Sequence, residues 1–232
     1  MRRAMRETMQ TTTYQMHNMN FQQRIVINTN EQPWLESPSP HVLRKPLERE
    51  AAESGHTTSI VTYKPNAHFA PHVHPHGEEI LVLEGTFSDE HGDYPAGTYI
   101  RNPPGSAHQP YSKDGCIILV KLNQFLPNDN QQLAIDTHHT QWLQGIGGLQ
   151  VMPLHDFEHQ HTALVKWPAG ERFQPHRHFG GEEIYVISGE FIDEHGRYPA
   201  GTWLRSPHQS EHNPYVEQET IIWVKTGHLF DS

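Results

Sequence analysis

The chain repeats itself. The segment His72-Val73-His74-Pro75-His76-Gly77-Glu78-Glu79 returns as His176-Arg177-His178-Phe179-Gly180-Gly181-Glu182-Glu183, and the offset of 104 residues persists without a gap from His108 to His212. Between His72 and His108, 22 of 37 positions carry the same residue as their counterpart. A register held over that length marks an internal duplication, which limits the chain to folds built from two similar units. Upstream the correspondence continues with small insertions: Pro33-Trp34-Leu35 answers Gln141-Trp142-Leu143, and Arg44-Lys45-Pro46-Leu47 answers Val151-Met152-Pro153-Leu154. Loops absorb such drift. The 232 residues thus divide into an N-terminal extension (1–24), a first domain (25–126) and a second (127–232), with residues 127–132 as the junction.

Each copy reads as short apolar runs between turns. Residues 59–63 and 163–167, 80–83 and 184–187, 99–101 and 203–205, and 117–122 and 221–225 are strand candidates, rich in branched and aromatic residues. The 17 glycines and 18 prolines supply frequent turns. His91-Gly92 and His195-Gly196 read as hairpin turns with glycine at positive φ. The glutamate strands are expected to stop at Gly85 and Gly189. No helical period of any length interrupts the pattern, so the fold class is all-β, a barrel or jelly roll in each copy.

The repeated histidines carry chemistry. Residues i and i+2 of a strand share a face, so His72 projects with His74 and His176 with His178. A proline or glycine turn follows, and a carboxylate, Glu78 or Glu182, opens the next apolar run. If the two strands are neighbours, two imidazoles and a carboxylate converge, a donor set suited to a borderline or hard divalent ion.

Copy two reads Gly170-x5-His176-x-His178-x3-Glu182-x6-Gly189, and continues through Gly201-x5-Pro207 to His212. This resembles the two motifs of the cupin superfamily, a double-stranded β-helix barrel. Gly-Glu-Glu-Ile followed by Asp-Glu-His-Gly, Tyr-Pro-Ala-Gly-Thr and Arg-x-Pro is similar to the ChrR-type cupin domain, the C-terminal half of an anti-sigma factor in the response to singlet oxygen. The resemblance covers residues 25–232 and implies two tandem cupin barrels. It places metal ligands on His72, His74, Glu78 and His108 in the first barrel and on His176, His178, Glu182 and His212 in the second. One divalent ion per barrel follows, zinc foremost, with iron, manganese or nickel as alternatives. Asn66 stands where the first motif has glycine, and Gln209 replaces the glycine that copy one keeps as Gly105. The anti-sigma factors also carry a helical zinc domain with a His-x3-Cys-x2-Cys pattern, which this sequence lacks. A sigma-factor partner is therefore implied only weakly, and its binding domain has no counterpart here.

Bulk properties exclude several classes. Net charge is −10 with no cluster of Lys and Arg beyond the first six residues, which argues against nucleic acid as a partner. Mean hydropathy is −0.72 and no apolar run approaches a membrane span. The basic start leads into Thr, Gln and Asn, so it is not read as a secretory signal. The single cysteine, Cys116, rules out an intrachain disulfide, fits a cytoplasmic location, and reads as a small residue packed in a strand.

Three neutral imidazoles and one carboxylate leave a divalent ion at +1. Four-coordinate zinc would then be saturated, whereas a six-coordinate ion keeps two positions open. Two functional readings follow. One is a metal-binding sensor or small-molecule-binding module of the ChrR type, linked to anti-sigma and oxidative-stress regulation by resemblance. The other is a metal-dependent dioxygenase acting on a chelating diketone- or flavonol-like molecule. A sugar isomerase is a weaker third. The assembly is expected to be a monomeric bicupin or a homodimer. Among other repeated residues, Lys121 and Lys225 are expected to form salt bridges to Glu79 and Glu183, and Arg101 and Arg205 either to orient an anionic ligand or to pair with Asp89/Glu90 and Asp193/Glu194. Phe87, Tyr99, Phe191 and Trp203 are expected in the barrel cores, and His76, His91 and His195 at exposed turns.

Overall fold

The apolar runs between glycine and proline turns all become strands, and among the described residues no helix forms. The structure, a computed structural model, describes residues 16–230; of the expected extension, residues 1–15 lie outside the described part. Two large antiparallel sheets result, one per copy. In the first copy the strand order is Leu133–Asp136, Thr98–Asn102, Glu78–Asp89, Cys116–Leu122, Thr57–Tyr63, Val42–Arg49, Leu35–Glu36. In the second it is Ile25–Asn28, Thr202–Ser206, Glu182–Ser188, Thr220–Thr226, Gln160–Trp167, Gln150–Phe157, Leu143–Gln144. The histidine segments form separate short ladders, His72–Val73 with Ala107–His108 and His176–Arg177 with Glu211–His212.

The two sheets trade edge strands. Ile25–Asn28 precedes the first copy but pairs with Thr202–Ser206 of the second, from Ile25 opposite Arg205 to Asn28 opposite Thr202. Leu133–Asp136, just past the junction, pairs with Thr98–Asn102 of the first, from Leu133 opposite Arg101 to Asp136 opposite Thr98. Each sequence unit therefore donates one strand to the other's sheet.

Alternation along the strands divides the apolar side chains between two destinations. Ile80 and Val82 face inward with Phe87 and Ile118 to make the first barrel's core, and Ile184, Val186, Phe191 and Ile222 make the second's. Leu81 and Tyr185 face the other way, into a third core between the barrels with Leu47, Leu119, Leu154 and Leu164. Phe87 and Phe191 lie where the sequence predicts. Tyr99 and Trp203, both fully buried, belong instead to the layer between barrels. Cys116 is buried in its strand, and burial pushes its thiol up to about 11, as suits a packing residue.

The repeated lysines do pair with glutamates, but across the barrels. Within each sheet Lys121 lies opposite Glu79 and Lys225 opposite Glu183. The side chains cross over: Lys121 Nζ is 2.5 Å from Glu183, and Lys225 Nζ is 2.5 Å from Glu79. The expected pairing of Arg101 and Arg205 with Asp89/Glu90 and Asp193/Glu194 does not occur. Arg101 shares a strand face with Tyr99 and so points between the barrels, where it meets Asp129 at 2.5 Å and Glu79 at 3.5 Å. Arg205, its counterpart, pairs with Glu48 of the other copy and donates to the carbonyls of Asn18 and Asn20.

Two turn expectations also change. Gly92 and Gly196 are not in the left-handed region; Asp89 and Asp193 close these turns by accepting hydrogen bonds from the next backbone N–H groups. In copy one the strand Glu78–Asp89 runs through Gly85 rather than ending there. Gly85 still bends it, with φ at +69°, and a Cβ at that position would lie 2.1 Å from the Gly115 carbonyl oxygen.

Candidate metal centres

The short ladders set the first element of each site, because they place His72 directly opposite His108 and His176 directly opposite His212. The histidine strand does not pair with the glutamate strand. The carboxylate arrives by the turn between them, which glycines at positive φ make tight: Gly77 in copy one, Gly180 and Gly181 in copy two. That turn brings Glu78 Oε2 to 3.4 Å from both His74 Nε2 and His108 Nε2. In copy two Glu182 Oε2 is 3.5 Å from His178 Nε2 and 3.7 Å from His212 Nε2.

All eight predicted residues fall at these two points. In the second barrel His176, His178, Glu182 and His212 offer donor atoms that all lie within 4.8 Å of one another. In the first barrel His72, His74 and His108 meet that condition, while Glu78 borders the set and approaches only two of them closely. His76 is exposed and belongs to neither set.

Protonation follows from the partners. His72 Nδ1 lies 2.9 Å from the Ala70 carbonyl and His176 Nδ1 lies 3.0 Å from the Gln174 carbonyl. A carbonyl only accepts, so each Nδ1 carries the hydrogen and each neutral Nε2 presents a lone pair. His176 Nε2 is 3.3 Å from His212 Nε2, which is 3.0 Å from His178 Nε2. In the first barrel the buried Nε2 atoms of His74 and His108 have no hydrogen-bond partner. Nitrogens this close need a proton or a metal ion between them. Ligands at 2.0–2.1 Å from a tetrahedral ion stand about 3.3 Å apart, which matches these separations. The donor set therefore fits a divalent ion.

Burial favours the neutral imidazole at His74, His176 and His178. Burial, with His212 and His176 nearby, holds His178 down at about 3, and burial lowers His74 and His176. His212 goes the other way: burial opposes its charge, but Asp193 and Glu182 outweigh that and raise it.

Behind each third histidine stands an aspartate from the Asp-Glu-His-Gly turn. His108 Nδ1 is 3.2 Å from Asp89 Oδ2, and His212 Nδ1 is 3.7 Å from Asp193 Oδ2. The following Glu90 and Glu194 accept from the backbone N–H of Gln109 and Asn213, each at 2.8 Å, and so hold the residue after each histidine. Carboxylates in this position fix ring orientation and strengthen the donor nitrogen. Sequence reasoning missed this role, although the recurrence of the motif in both copies was the available signal.

The two centres front different cavities. The first, about 370 Å³, is lined by Arg44, Arg49 and Glu53 as well as by His72, His74 and Glu78. The second, about 260 Å³, is walled by Val151, Trp167, Phe173 and Ile222 beside His176 and His212. Such volumes admit small organic molecules.

The profile of the ChrR cupin-like domain matches residues 22–126 and again residues 130–230. The chain belongs to the ChrR cupin-like family. No curated protein sequence matches it. Among solved structures this ChrR cupin-like chain is similar to a candidate dioxygenase from Nostoc punctiforme, with a TM-score of 0.73 at 16% identity over 91% of this chain and 85% of that one. It is similar to the protein YlbA from E. coli, with a TM-score of 0.70 at 14% identity over 91% and 94% of the two chains. A deletion mutant of Bacillus subtilis oxalate decarboxylase gives 0.61 at 13% identity over 89% and 78%. At these identities the likeness establishes the fold, two cupin barrels in tandem. No helix among the described residues is long and apolar enough to cross a membrane.

Proposed function

We propose that the chain is a divalent-metal bicupin that binds a small molecule at its metal centres. Each barrel would hold one ion on three imidazoles and one carboxylate: His72, His74, His108 and Glu78, and His176, His178, His212 and Glu182. The observation that carries this reading is the convergence of imidazole lone pairs, their Nδ1 atoms facing outer acceptors, at the wall of a cavity. A purely structural ion would be closed in by protein on all sides. Zinc is the expected ion, and the module would act as a sensor or ligand-binding device. Metal analysis of protein purified without added metal or immobilised nickel tests it. Two zinc ions per chain are expected, falling to one in His72→Ala or His176→Ala. A metal-free, fully folded chain that takes up no zinc on titration would refute the reading.

A second reading, a dioxygenase acting on a chelating diketone- or flavonol-like molecule, is favoured by the same cavities, since His72 and His176 are only partly buried and a ligand can approach them. The bound ion would supply open coordination positions, and the protein would position the substrate and exclude water. Iron, manganese or nickel at two per chain, with oxygen uptake on a chelating substrate, would support it. A sigma-factor partner is a finer reading of the family resemblance, and co-purification with the full chain tests it.

A further inference from the structure

The two cavities differ at aligned positions, Arg44 foremost; Arg49 also lines the first cavity and stands 3.6 Å from Glu53. Arg44 pairs with Val61 across its sheet, and Val151 pairs with Val165 in the same way, 104 residues beyond Val61. Both side chains line the cavity of their barrel. Barrel one therefore offers a guanidinium where barrel two offers an isopropyl group. A second difference lies beside it. In the first copy residues 50–56 loop out between Val42–Arg49 and Thr57–Tyr63, whereas in the second only residues 158–159 join the corresponding strands. The longer loop exists only where the arginine exists.

That loop carries a carboxylate onto the arginine. Glu53 accepts from both Nη atoms of Arg44, at 3.1 and 2.7 Å, the fork geometry with which a guanidinium holds a carboxylate. The pair is unequal: the Arg44 side chain is 19% exposed and the Glu53 side chain 52%. Glu53 sits at the exposed loop tip, while the loop's base is closed by Glu50 and His56 and its far end is tied by Asn123 to the Gly55 carbonyl. An exposed ion pair of this kind contributes little to stability, so another carboxylate can exchange with Glu53 at small cost.

We propose that Arg44 is a carboxylate anchor, with Glu53 as its resident counter-ion, and that the first barrel takes a small 2-oxo acid. Its carboxylate replaces Glu53 on Arg44 while its 2-oxo oxygen faces the His72, His74 and Glu78 centre. The second barrel, with Val151 at that position and an apolar wall, does not select for the negative charge. This rests on the reading of both sites as metal centres.

The test is calorimetric titration of the full chain, its zinc content measured beforehand, with 2-oxobutanoate and with 2,3-pentanedione, an uncharged molecule of similar shape that carries the same oxo group but no carboxylate. The acid is expected to bind one site per chain about tenfold tighter than the diketone, as a charge-assisted fork requires. Arg44→Gln should lose roughly that factor for the acid and leave the diketone unchanged. Glu53→Gln, which removes the competing carboxylate, should tighten the acid several-fold. Equal binding of acid and diketone, two acid sites per chain, unchanged acid affinity in Arg44→Gln, or weaker acid binding in Glu53→Gln would each overturn the proposal. Should Arg44→Gln fail to fold, Arg44→Lys keeps the charge without the fork. It should show an intermediate loss, and none would count against the anchor. A chain that holds two zinc ions but shows no Arg44-dependent binding sinks the anchor alone. One that holds no zinc yet binds the acid through Arg44 sinks the metal reading and leaves the anchor standing.

Discussion

Lys121→Met removes one charge from the seam between the barrels and leaves its partner behind. Glu183 is fully buried, and its remaining contacts are the Trp203 indole N–H at 2.8 Å and His228 at 3.0 Å, neither of which supplies the lost ammonium. Thr58 also loses a donor, since Lys121 Nζ reaches its hydroxyl at 3.0 Å. Breaking a buried pair from one side costs about 3–5 kcal/mol, because the uncompensated charge stays in low dielectric. In a chain of this length each kcal/mol shifts the melting temperature by about 2–4 °C, so a fall of roughly 6–20 °C is expected. Glu183→Gln added to Lys121→Met removes the orphaned charge and keeps an acceptor for Trp203, and should recover most of the loss. Urea unfolding and thermal melting of the two single variants and the double variant give the coupling directly. Arg177→Ala serves as control: Arg177 and Glu211 pair with side chains 52% and 58% exposed, and the stability should not change measurably. A Lys121→Met variant that loses less than about 1 kcal/mol, or a double variant as unstable as the two single losses combined, would refute the reasoning.

Two further outcomes follow from the same residues. Asp89→Asn and Asp193→Asn should each weaken metal binding at their own centre by about 10–100-fold, read by competition with a chromophoric chelator, while the fold persists; unchanged affinity would remove the orienting role given to these carboxylates. Acid sensitivity should trace in part to Glu79. Burial alone would raise its pKa, but Lys225 and Arg101, with hydrogen bonds from Lys225 and Tyr99, hold it down to about 2, below the ordinary carboxylate range. A depressed carboxylate binds fewer protons folded than unfolded, so its contribution is complete above about pH 4.5 and is lost as pH falls toward about 2. Urea midpoints measured across that window should fall less steeply in Glu79→Gln than in the wild-type chain; parallel curves would contradict the assignment.

The convergence of the histidines and glutamates was legible because these residues are local or doubly constrained. His72, His74 and Glu78 sit within seven residues, and His108 is pinned by a spacing that His212 repeats. The partners across the seam were not legible, and the duplication itself is the reason. Glu79 and Glu183 occupy equivalent positions, so nothing in their surroundings distinguishes which one Lys121 will meet; only the packing of barrel on barrel decides. Asp129 was hidden differently. It lies in a polar junction that reads as a linker, yet it is 1% exposed because Arg101 and His155 reach it. Arg101 was misassigned for want of a face. Once Tyr99 is known to point between the barrels, strand alternation sends Arg101 there too. Arg44 could be seen to differ from Val151, but no pattern in the sequence says that this position lines a cavity.

The exchanged strands carry a consequence for how such a chain is made. A single copy spanning residues 25–126 would own both an arm, Ile25–Asn28, and the edge Thr98–Asn102, equivalent to the edge on which that arm rests in the full chain. Two such copies would embrace by trading arms, as swapped dimers do. The tandem protein is that embrace sewn into one thread. On the ribosome the first arm therefore emerges long before its resting place. It waits, unpaired, until Thr202–Ser206 of the second copy has been made. The first barrel's open edge is covered sooner, when Leu133–Asp136 appears. Translation thus seals one seam early and the other late, and the second copy is what secures the arm that precedes the first.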